Sequence, residues 1–549
     1  MNVRGVPRAL VLGLLGAAMV LAGCQTGGSG DTRSGDVPEG PGKAGELRIL
    51  AGSELSDLQP ILEQAKEKTG VAVHFEFVGT LDGVQRVLDG QTKDKFDAVW
   101  FPSNRYLSLH PEAAGKTKTE TKIMTSPVVL GMASSKASQL GWGPGSKVTW
   151  SDIAKAAGEQ KFTYGMTNPA ASNSGFSALV GVAAALSGTG AALEQGDVDK
   201  VGPGLQKFFS AQKLTAGSSG WLADEFAARA SGGKPGVKVD GVINYESVLL
   251  TLNAAKKVPE PLTLIYPTDG VVTADYPLTL LSTASDEVAD GYRKLADYLR
   301  TPDVQREIMA QTHRRPAIPQ VKPTAEFGAS TLVELPFPAK VDVVNGLIDT
   351  YFDKLRRPAR TVYVLDVSGS MDGDRIESLR SALVTLTGAS DTIAGRFQRF
   401  HSREEITLLP FDSGPHSPQA FVVPERKPEE VLGQIKSAAE ALEPGGDTAV
   451  FDSVLAAFDE LAKAPAGDFA TSVVVMTDGE SNHGADSSQF WTRHALLPPA
   501  LKNVPIFTVL FGEGNTDEMK ELASRTGGRA FDAREGSLEA AFREIRGYQ

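Results

Sequence analysis

The chain has 549 residues, of which 41% are hydrophobic and 22% charged, and its formal net charge is −12. This length predicts more than one domain, and the apolar content is ordinary for globular proteins with buried cores. The acidic balance argues against a nucleic-acid partner, because phosphate binding requires a basic face.

The N-terminal segment has the features of a secretion signal. Arg4 and Arg8 precede an apolar run over residues 9–22, which is short for a membrane span. The run ends in LAGC, and Cys24 is the only cysteine, which excludes an intrachain disulfide. The segment resembles the lipobox of bacterial lipoproteins. The resemblance implies a signal peptide over residues 1–23, a palmitate-type lipid anchor on Cys24 and a place at the outer surface of the cell membrane. The alternative is an incidental cysteine in an ordinary signal peptide.

A tether and a first module follow the signal segment. Residues 24–45 are rich in Gly, Ser and Pro without apolar periodicity, which predicts a flexible tether. From Leu47 to about Val321, short apolar strands alternate with helical patterns, as in LRILAGS followed by LQPILEQAKEKTG. The alternation predicts an α/β fold with a mostly parallel sheet. Apolar stretches around Ser126 and Asp275 divide the segment into a first part, an inserted middle and a return.

The order and spacing of these stretches resemble the type II extracellular solute-binding proteins of bacterial transporters. The resemblance implies a two-lobed, periplasmic-binding-protein-like domain over residues 46–325. In that family the ligand lies at helix N-termini, where free N–H groups and the helix dipole favour an acceptor. The positions that match are Ser53, Ser103, Asn173, Ser174 and Tyr245. The serines and the asparagine have an alternative interpretation as helix N-caps, a position that these residue types favour.

Two further residues bear on this predicted cleft. Trp221, in SSGWLADEF, has two interpretations, as a wall of the cleft or as a packed core residue. Glu246 stands beside Tyr245, and its negative charge argues against a simple oxyanion ligand.

A linker and a second α/β module complete the chain. Residues 326–358 form a Pro-rich stretch followed by a predicted bridging helix, VDVVNGLIDTYFDKL, that ends before Pro358. From residue 359 to 549 the strand–helix alternation resumes, beginning with the strand TVYVLDV. Continuous apolar strands such as SVVVM predict a sheet covered on both faces. The module is therefore predicted to have a doubly wound, Rossmann-like fold that binds ligands beyond the carboxyl ends of its strands.

Three stretches of the second module carry a specific resemblance. LDVSGSM, GGDTAVFDSV and VVMTDGESN are similar, in order and position, to the loops of the metal-ion-dependent adhesion site of von Willebrand factor A (VWA) domains. Carried over by motif, the metal ligands are Asp366, Ser368 and Ser370 in the first loop, Thr448 in the second and Asp478 in the third.

The chemistry of these five residues favours a small divalent cation. Three hydroxyls and two carboxylates offer hard oxygen ligands, which suit Mg²⁺, with Mn²⁺ and Ca²⁺ as alternatives. An open coordination position would accept an Asp or Glu from a partner protein. The loops contain one histidine, His483, whose position just beyond a strand end is typical of a solvated side chain, so no enzyme activity is predicted.

Two other interpretations of the first loop remain open. Counted from Asp366, an EF-hand loop would end at Glu377, but Met371 occupies the position that requires glycine. Alternatively, the first-loop residues only cap the next helix, which leaves Thr448 and Asp478 unexplained. Asp372 and Asp374 are predicted to serve as a turn and an N-cap for a helix starting near Arg375.

Three classes of function follow from these features. The first is a surface-anchored lipoprotein that binds a carboxylate-bearing partner through the metal site, with the first module as a second recognition surface. The second is a solute receptor of a transport system with an accessory VWA domain. The third is an assembly factor or enzyme that works with an ATPase, which export argues against. The first hypothesis is preferred, because a solute receptor alone has no need of a complete metal site.

Overall fold

The computed structural model describes residues 37–548, apart from 39, 41, 144, 329–330, 389–392, 466, 513–515 and 535–537. The predicted signal peptide over residues 1–23, Cys24 and most of the predicted tether over residues 24–45 lie outside the described residues. None of the helices in the described part of the chain combines the length and the apolar character that crossing a membrane requires.

The first module alternates strands and helices throughout. Its elements, in chain order, are β1 (Glu46–Ala51), α1 (Gln59–Thr69), β2 (Ala72–Phe77), α2 (Thr80–Leu88), β3 (Ala98–Trp100), α3 (Arg105–Ser108), β4 (Thr117–Lys122), β5 (Met124–Ala133), α4 (Ser134–Gln139), α5 (Trp150–Gly158), β6 (Tyr164–Thr167), α6 (Asn173–Ser187), α7 (Gln195–Phe209), β7 (Gln212–Ala216), α8 (Ser219–Ala230), β8 (Gly241–Tyr245), α9 (Glu246–Ala254), β9 (Leu262–Ile265), β10 (Thr273–Ala274), β11 (Pro277–Leu281), α10 (Asp286–Leu299), α11 (Pro302–Thr312) and β12 (Arg315–Pro316). A 3-10 helix over Ser53–Leu58 precedes α1.

These elements form two lobes, each on its own sheet. The first sheet has the order β2-β1-β3-β11-β4, and the second has the order β10-β5-β8-β6-β7 with β9 and β12 beside β5. The chain crosses between the lobes at Ile123 and returns between Ala274 and Pro277, as the predicted insertion requires. The prediction of a mostly parallel sheet is wrong for both lobes, because β4, β5 and β11 adjoin the crossovers between the lobes and pair antiparallel.

The linker and second module contain the remaining elements. In chain order they are α12 (Val341–Thr350), β13 (Ala359–Asp366), α13 (Asp374–Thr385), α14 (Ile393–Gln398), β14 (Glu405–Phe411), β15 (Gln419–Val422), α15 (Pro428–Glu440), α16 (Val450–Lys463), β16 (Ala470–Thr477), α17 (Ser487–His494), α18 (Pro499–Lys502), β17 (Ile506–Leu510), α19 (Thr516–Thr526), β18 (Ala530–Asp532) and α20 (Leu538–Arg546). The bridging helix α12 continues as a π-helical turn over Tyr351–Leu355 and ends before Pro358, as predicted.

The second module is a doubly wound α/β domain, in agreement with the prediction. Its sheet has the order β15-β14-β13-β16-β17-β18, with every pair parallel except the edge strand β15. Every residue of the central strand β13 is buried, because helices cover both faces of the sheet. The carboxyl ends of β13 and β16 are neighbours, which brings the residues that follow them together.

The second module packs against both lobes through the amino edge of its sheet and its last helix. Near the start of β16, Asp468 pairs with Lys213 of the second lobe at 2.8 Å. Helix α14 lies against α2 of the first lobe, and Phe397 is buried in the core of the first module. The metal-site loops therefore lie at the opposite, carboxyl edge of the sheet, away from this contact.

Candidate functional site

Three loops meet at the carboxyl edge of the second module's sheet. The first follows β13, the second precedes α16 and the third follows β16. Backbone hydrogen bonds join them: the Gly369 N–H donates to the Gly446 carbonyl at 3.0 Å, and the His483 N–H donates to the Thr448 carbonyl at 3.2 Å. The five predicted metal ligands are thus held on loops that fix one another.

Four of the five predicted ligands are linked by one continuous chain of hydrogen bonds. The Ser368 N–H donates to Asp366 Oδ1 at 2.9 Å, and the Ser368 and Ser370 hydroxyls are 3.1 Å apart. Ser370 Oγ in turn donates to Asp478 Oδ1 at 2.9 Å. Thr448, the fifth, is buried on the second loop, and its N–H donates to Asn482 Oδ1 of the third loop at 2.8 Å.

The two carboxylates of the site are buried and close enough to repel each other. Burial raises the pKa of the Asp366 carboxyl, and the charge of Asp478 raises it further. Hydrogen bonds from Ser368 and from Thr477, whose hydroxyl donates to Asp366 Oδ2 at 2.7 Å, oppose this shift. Two buried carboxylates side by side favour a cation between them.

A cationic side chain that the sequence interpretation missed already contacts this site. Arg375 Nη1 contacts Asp478 Oδ2 and donates to the Ser370 carbonyl at 3.2 Å. Its side chain is 41% exposed, so the guanidinium reaches the site from the solvent side. The sequence carried no signal for this contact, because its pattern places Arg375 only in the first turn of a predicted helix.

The donor set fits a small divalent cation of the Mg²⁺ type. It consists of two buried carboxylates and three hydroxyls, all hard oxygen ligands. Across the described ranges, no group of three or more His, Cys, Asp and Glu side chains forms a metal cluster. A metal at these loops would therefore depend on hydroxyl ligands. Asp366, Ser368, Ser370, Thr448 and Asp478 are the residues that would hold it.

Two glycines make the loop geometry possible. Gly446 has φ of +75°, a conformation that side chains disfavour, and this turn carries the backbone toward the first loop. A Cβ at Gly512 would lie 1.8 Å from the Asp478 carbonyl oxygen. The end of β17 therefore packs directly against the backbone of Asp478 and fixes its position.

The remaining predictions for the first loop are corrected by the structure. Helix α13 begins at Asp374 itself, and Gly373, with φ of +85°, occupies the N-cap position. Asp374 therefore stabilises the first turn through the helix dipole rather than as a cap. Glu377, the last ligand of the alternative EF-hand loop, is 68% exposed and pairs with Arg380 at 2.5 Å. His483 is 53% exposed, 3.8 Å from Asp447, as expected for a solvated side chain.

A second candidate site is a cavity of about 570 Å³ between the two lobes. Of the residues predicted to contact a ligand, Ser53 and Asn173 line this cavity. Trp221 also lines it, which agrees with the interpretation of this residue as a wall of the cleft. The 3-10 helix that begins at Ser53 and the helix that begins at Asn173 belong to different lobes, so the cavity is the predicted interlobe cleft.

The other predicted cleft residues lie behind the cavity wall. Ser103 accepts the N–H of Arg105 at 3.2 Å, a local turn that accounts for its presence. Ser174 is fully buried among other hydroxyls. Tyr245 is buried too, and its hydroxyl accepts a hydrogen bond from Asn173 Nδ2 at 3.0 Å. Tyr245 thus positions a residue of the wall and does not line the cavity itself.

Glu246 is neutralised away from the cavity. Its carboxylate is completely buried and accepts two hydrogen bonds from Arg315, at 2.6 and 2.7 Å. The Tyr266 hydroxyl donates a third at 2.5 Å. Contrary to the prediction, Glu246 does not oppose an oxyanion ligand, because its charge is compensated by Arg315 and it is not part of the lining.

The cavity contains an ionic group that sequence reasoning missed. Arg314, from the end of the first module, is buried and donates to both oxygens of Asp57, at 2.8 and 2.6 Å. Its Nη2 donates to the carbonyl of Glu54 at 3.0 Å. Burial raises the pKa of the Glu54 carboxyl to about 7, against the opposing charge of Arg314. Only proximity in the fold relates these residues, since 257 positions separate Arg314 from Asp57.

Residues of the second module complete the lining. Arg529, Glu544 and Tyr548 face the same cavity as the two lobes. All four cations among the described residues of the lining are ion-paired with acidic side chains that also line it. The pairs are Arg314 with Asp57, Arg86 with Asp82, Lys257 with Asp224, and Arg529 with Glu544.

Comparison with known families agrees with this division of the chain. Residues 47–311 match the family described as bacterial extracellular solute-binding protein, and residues 362–544 match the von Willebrand factor type A domain. The chain therefore contains a segment that matches an extracellular solute-binding domain, followed by a segment that matches a VWA domain.

Relatives and solved structures each resemble one part of the chain. An uncharacterized protein of Synechocystis sp. is 30% identical over 129 residues, which are 24% of this chain and 27% of that protein. Inter-alpha-trypsin inhibitor heavy chain H4 of Bos taurus is 28% identical over 153 residues, 26% of this chain and 15% of that protein. The chain thus spans well under half the length of either relative.

Among solved structures, the periplasmic binding protein AfuA from Actinobacillus pleuropneumoniae, with exogenous fructose-6-phosphate bound, has a TM-score of 0.44 and 13% identity. The match covers 57% of this chain and 99% of AfuA. A periplasmic thiamin binding protein has a TM-score of 0.43 and 12% identity, over 57% of this chain and 98% of that one.

Proposed function

We propose that this solute-binding and VWA chain is a lipid-anchored surface protein that binds a carboxylate of a partner protein through a divalent metal, preferably Mg²⁺. The first module then serves as a second recognition surface. The observation that carries the proposal is the convergence of Asp366, Ser368, Ser370 and Asp478 into one hydrogen-bonded group, with Thr448 buried alongside.

The position of the loops supports this use. They lie at the edge of the sheet opposite the contact with the first module, where Gly369 and Ser370 are exposed to solvent. A protein partner can therefore approach the metal without displacing the first module. A bound divalent cation with an open coordination position would supply a strong electrostatic contact for an incoming Asp or Glu.

We propose binding and not catalysis at this site. The one histidine of the three loops, His483, is solvent-exposed and paired at 3.8 Å with Asp447, so it is not held against the metal ligands. A general base has to lie within hydrogen-bond reach of the group that it activates.

To test the proposal, the full chain is immobilised and used to select peptides from a library in which each peptide carries a single Asp or Glu. The selection is done once in Mg²⁺ and once in the presence of a chelator. We expect acidic peptides to be enriched only in Mg²⁺, and their Asn or Gln counterparts not to be enriched. Asp366→Asn should abolish the enrichment. Asp372→Asn, which removes an exposed carboxylate from the same loop, is the matched control and should retain it. Equal enrichment in chelator would contradict the proposal.

A solute receptor is the second candidate function, and the interlobe cavity of about 570 Å³ favours it. A cavity of this volume is large enough for a small organic ligand. The two functions are compatible, because the cavity and the metal loops lie at different ends of the second module. Thermal-shift screening of oxyanions, sugars, amino acids and amines distinguishes a ligand-binding first module from a purely protein-binding one.

A further inference from the structure

The interlobe cavity is bounded by both modules, although the two lobes of a solute-binding fold could enclose such a cavity by themselves. Tyr548, beyond the last helix of the VWA domain, packs its ring against Trp221 of the second lobe, with centroids 4.2 Å apart. Arg529 Nη1 donates to the Tyr548 hydroxyl at 2.7 Å and pairs with Glu544 at 2.5 Å. These three VWA residues are part of the cavity lining.

The VWA part of the wall is firmly held. Asn168 Nδ2 of the second lobe donates to the Arg546 carbonyl at 3.2 Å. The guanidinium of Arg546 pairs with the buried Glu404 at 2.8 Å, and Glu404 also contacts Arg356 of the linker. The C-terminal segment that carries Tyr548 is therefore held by Arg546 to the lobe, and through Glu404 to the linker. A ligand in the cavity would meet it in place.

The charges of the lining favour one class of ligand. Each cation of the described lining is already neutralised by a carboxylate, so none is available for an anion without breaking an ion pair. Glu54 is the remaining carboxylate of the lining, and its Oε1 has no hydrogen-bond partner among the described residues. A buried acceptor without a donor costs free energy, which a donor on a ligand would recover.

We propose that this two-module cavity binds a small organic cation, whose positively charged nitrogen donates to Glu54 and whose apolar part packs against Trp221 and Tyr548. Charge-assisted hydrogen bonds are the stronger ones, and the two aromatic rings offer apolar surface to the rest of the ligand. The inference goes beyond the metal-dependent binding proposed above and does not depend on it, since the metal ligands are not part of the cavity.

The experiment compares two probes of similar shape and opposite charge, tryptamine and indole-3-propionate, on the full chain by calorimetry and thermal shift. It is done at pH 8, above the raised pKa of about 7 of Glu54, so that this carboxyl is ionised. We expect tryptamine to bind and to raise the melting temperature, and indole-3-propionate to bind at least about tenfold more weakly. Equal or tighter binding of indole-3-propionate, or no binding of either probe, would overturn the proposal.

Variants then assign the contacts. Glu54→Gln keeps the side-chain shape and should lower the affinity for tryptamine about tenfold. Tyr548→Ala should lower the same affinity several-fold. Glu63→Gln, the same exchange at an exposed glutamate outside the lining, is the matched control and should change affinity less than about twofold. Unchanged affinity in both Glu54→Gln and Tyr548→Ala contradicts the assigned contacts.

If either variant fails to fold, the comparison of the two probes on the unaltered chain still decides the ligand class. Asp366→Asn should leave tryptamine binding intact, which separates this proposal from the metal-dependent one.

Discussion

At the metal loops, four of the five predicted ligands share one chain of hydrogen bonds, whereas the lining of the interlobe cavity comes from two lobes and from the end of the VWA domain. The metal loops gather hydroxyls around two carboxylates that face each other. In the cavity, by contrast, each cation among the described lining residues forms an ion pair with a carboxylate, and Glu54 is the carboxylate that belongs to none of these pairs. One site is thus a local property of a sheet edge, and the other depends on how the modules pack.

The prediction with the largest expected effect tests whether ligand binding in the cavity depends on the packing of the modules while metal binding at the loops does not. Glu404 is buried between Arg356 and Arg546, so Glu404→Gln leaves two buried cations without their carboxylate. We expect a loss of about 3–5 kcal/mol in the free energy of unfolding, measured by chemical denaturation. Tryptamine binding should weaken as the C-terminal segment loosens, while Mg²⁺ affinity in the folded protein stays the same.

The neighbouring residue provides the control for that prediction. Glu405 pairs with Arg360 at 2.5 Å but is partly exposed, so Glu405→Gln should cost about 1 kcal/mol or less. Equal losses in the two variants would show that the buried position of Glu404 gives it no special role. A parallel loss of Mg²⁺ affinity in Glu404→Gln would mean that the two sites are not independent.

The second prediction tests the local character of the metal site. Asp366→Asn removes one of the two carboxylates without changing the side-chain shape, and Mg²⁺ affinity should fall by more than about 100-fold, as measured by calorimetry. Asp372→Asn, on the same loop, should leave affinity within about twofold. Retention of Mg²⁺ binding in Asp366→Asn would remove Asp366 from the ligand set.

The same contrast explains what the sequence predicted. The metal residues lie in three short motifs, and parallel strands necessarily bring their carboxyl ends to one edge, so Asp366 and Asp478 meet as predicted. Arg375 was missed because its contact with Asp478 spans 103 positions and leaves no local pattern. The doubly wound sheet followed from its continuous apolar strands. The edge strand β15 was missed, since its residues are mostly exposed and lack such a pattern.

The cleft was predictable only in part. Ser53 and Asn173 line the cavity, and each stands where a strand gives way to a helix. Ser103 and Tyr245 occupy similar positions in the chain, but side-chain packing turns them away from the cavity. Tyr548 belongs to a different module, and no pattern within the first module could have indicated its contribution.

The third prediction concerns the unpaired carboxylate of the cleft. Because burial raises the pKa of Glu54 from 4.5 to about 7, the folded chain holds this proton more tightly than the unfolded chain. Its contribution to stability is therefore complete below about pH 4.5 and is lost as the pH rises through 7. We expect Glu54→Gln to reduce the fall in unfolding free energy between pH 5 and pH 8 by about 2 kcal/mol, allowing for partial solvent exposure. Identical pH profiles of the two proteins would contradict the assignment.

The smallest expected effect concerns Arg375, the cation that contacts the metal site from the solvent side. Its guanidinium contacts Asp478, so a metal must displace it before Asp478 becomes a ligand. Arg375→Gln should therefore raise Mg²⁺ affinity about three- to tenfold in calorimetry, because the exposed ion pair is worth only about 1 kcal/mol. Arg375→Lys keeps the charge and should change affinity less. Weaker binding in Arg375→Gln would instead mean that Arg375 supports the loops, whereas tighter binding would identify it as an internal competitor that sets the metal concentration at which this edge of the sheet can bind a partner.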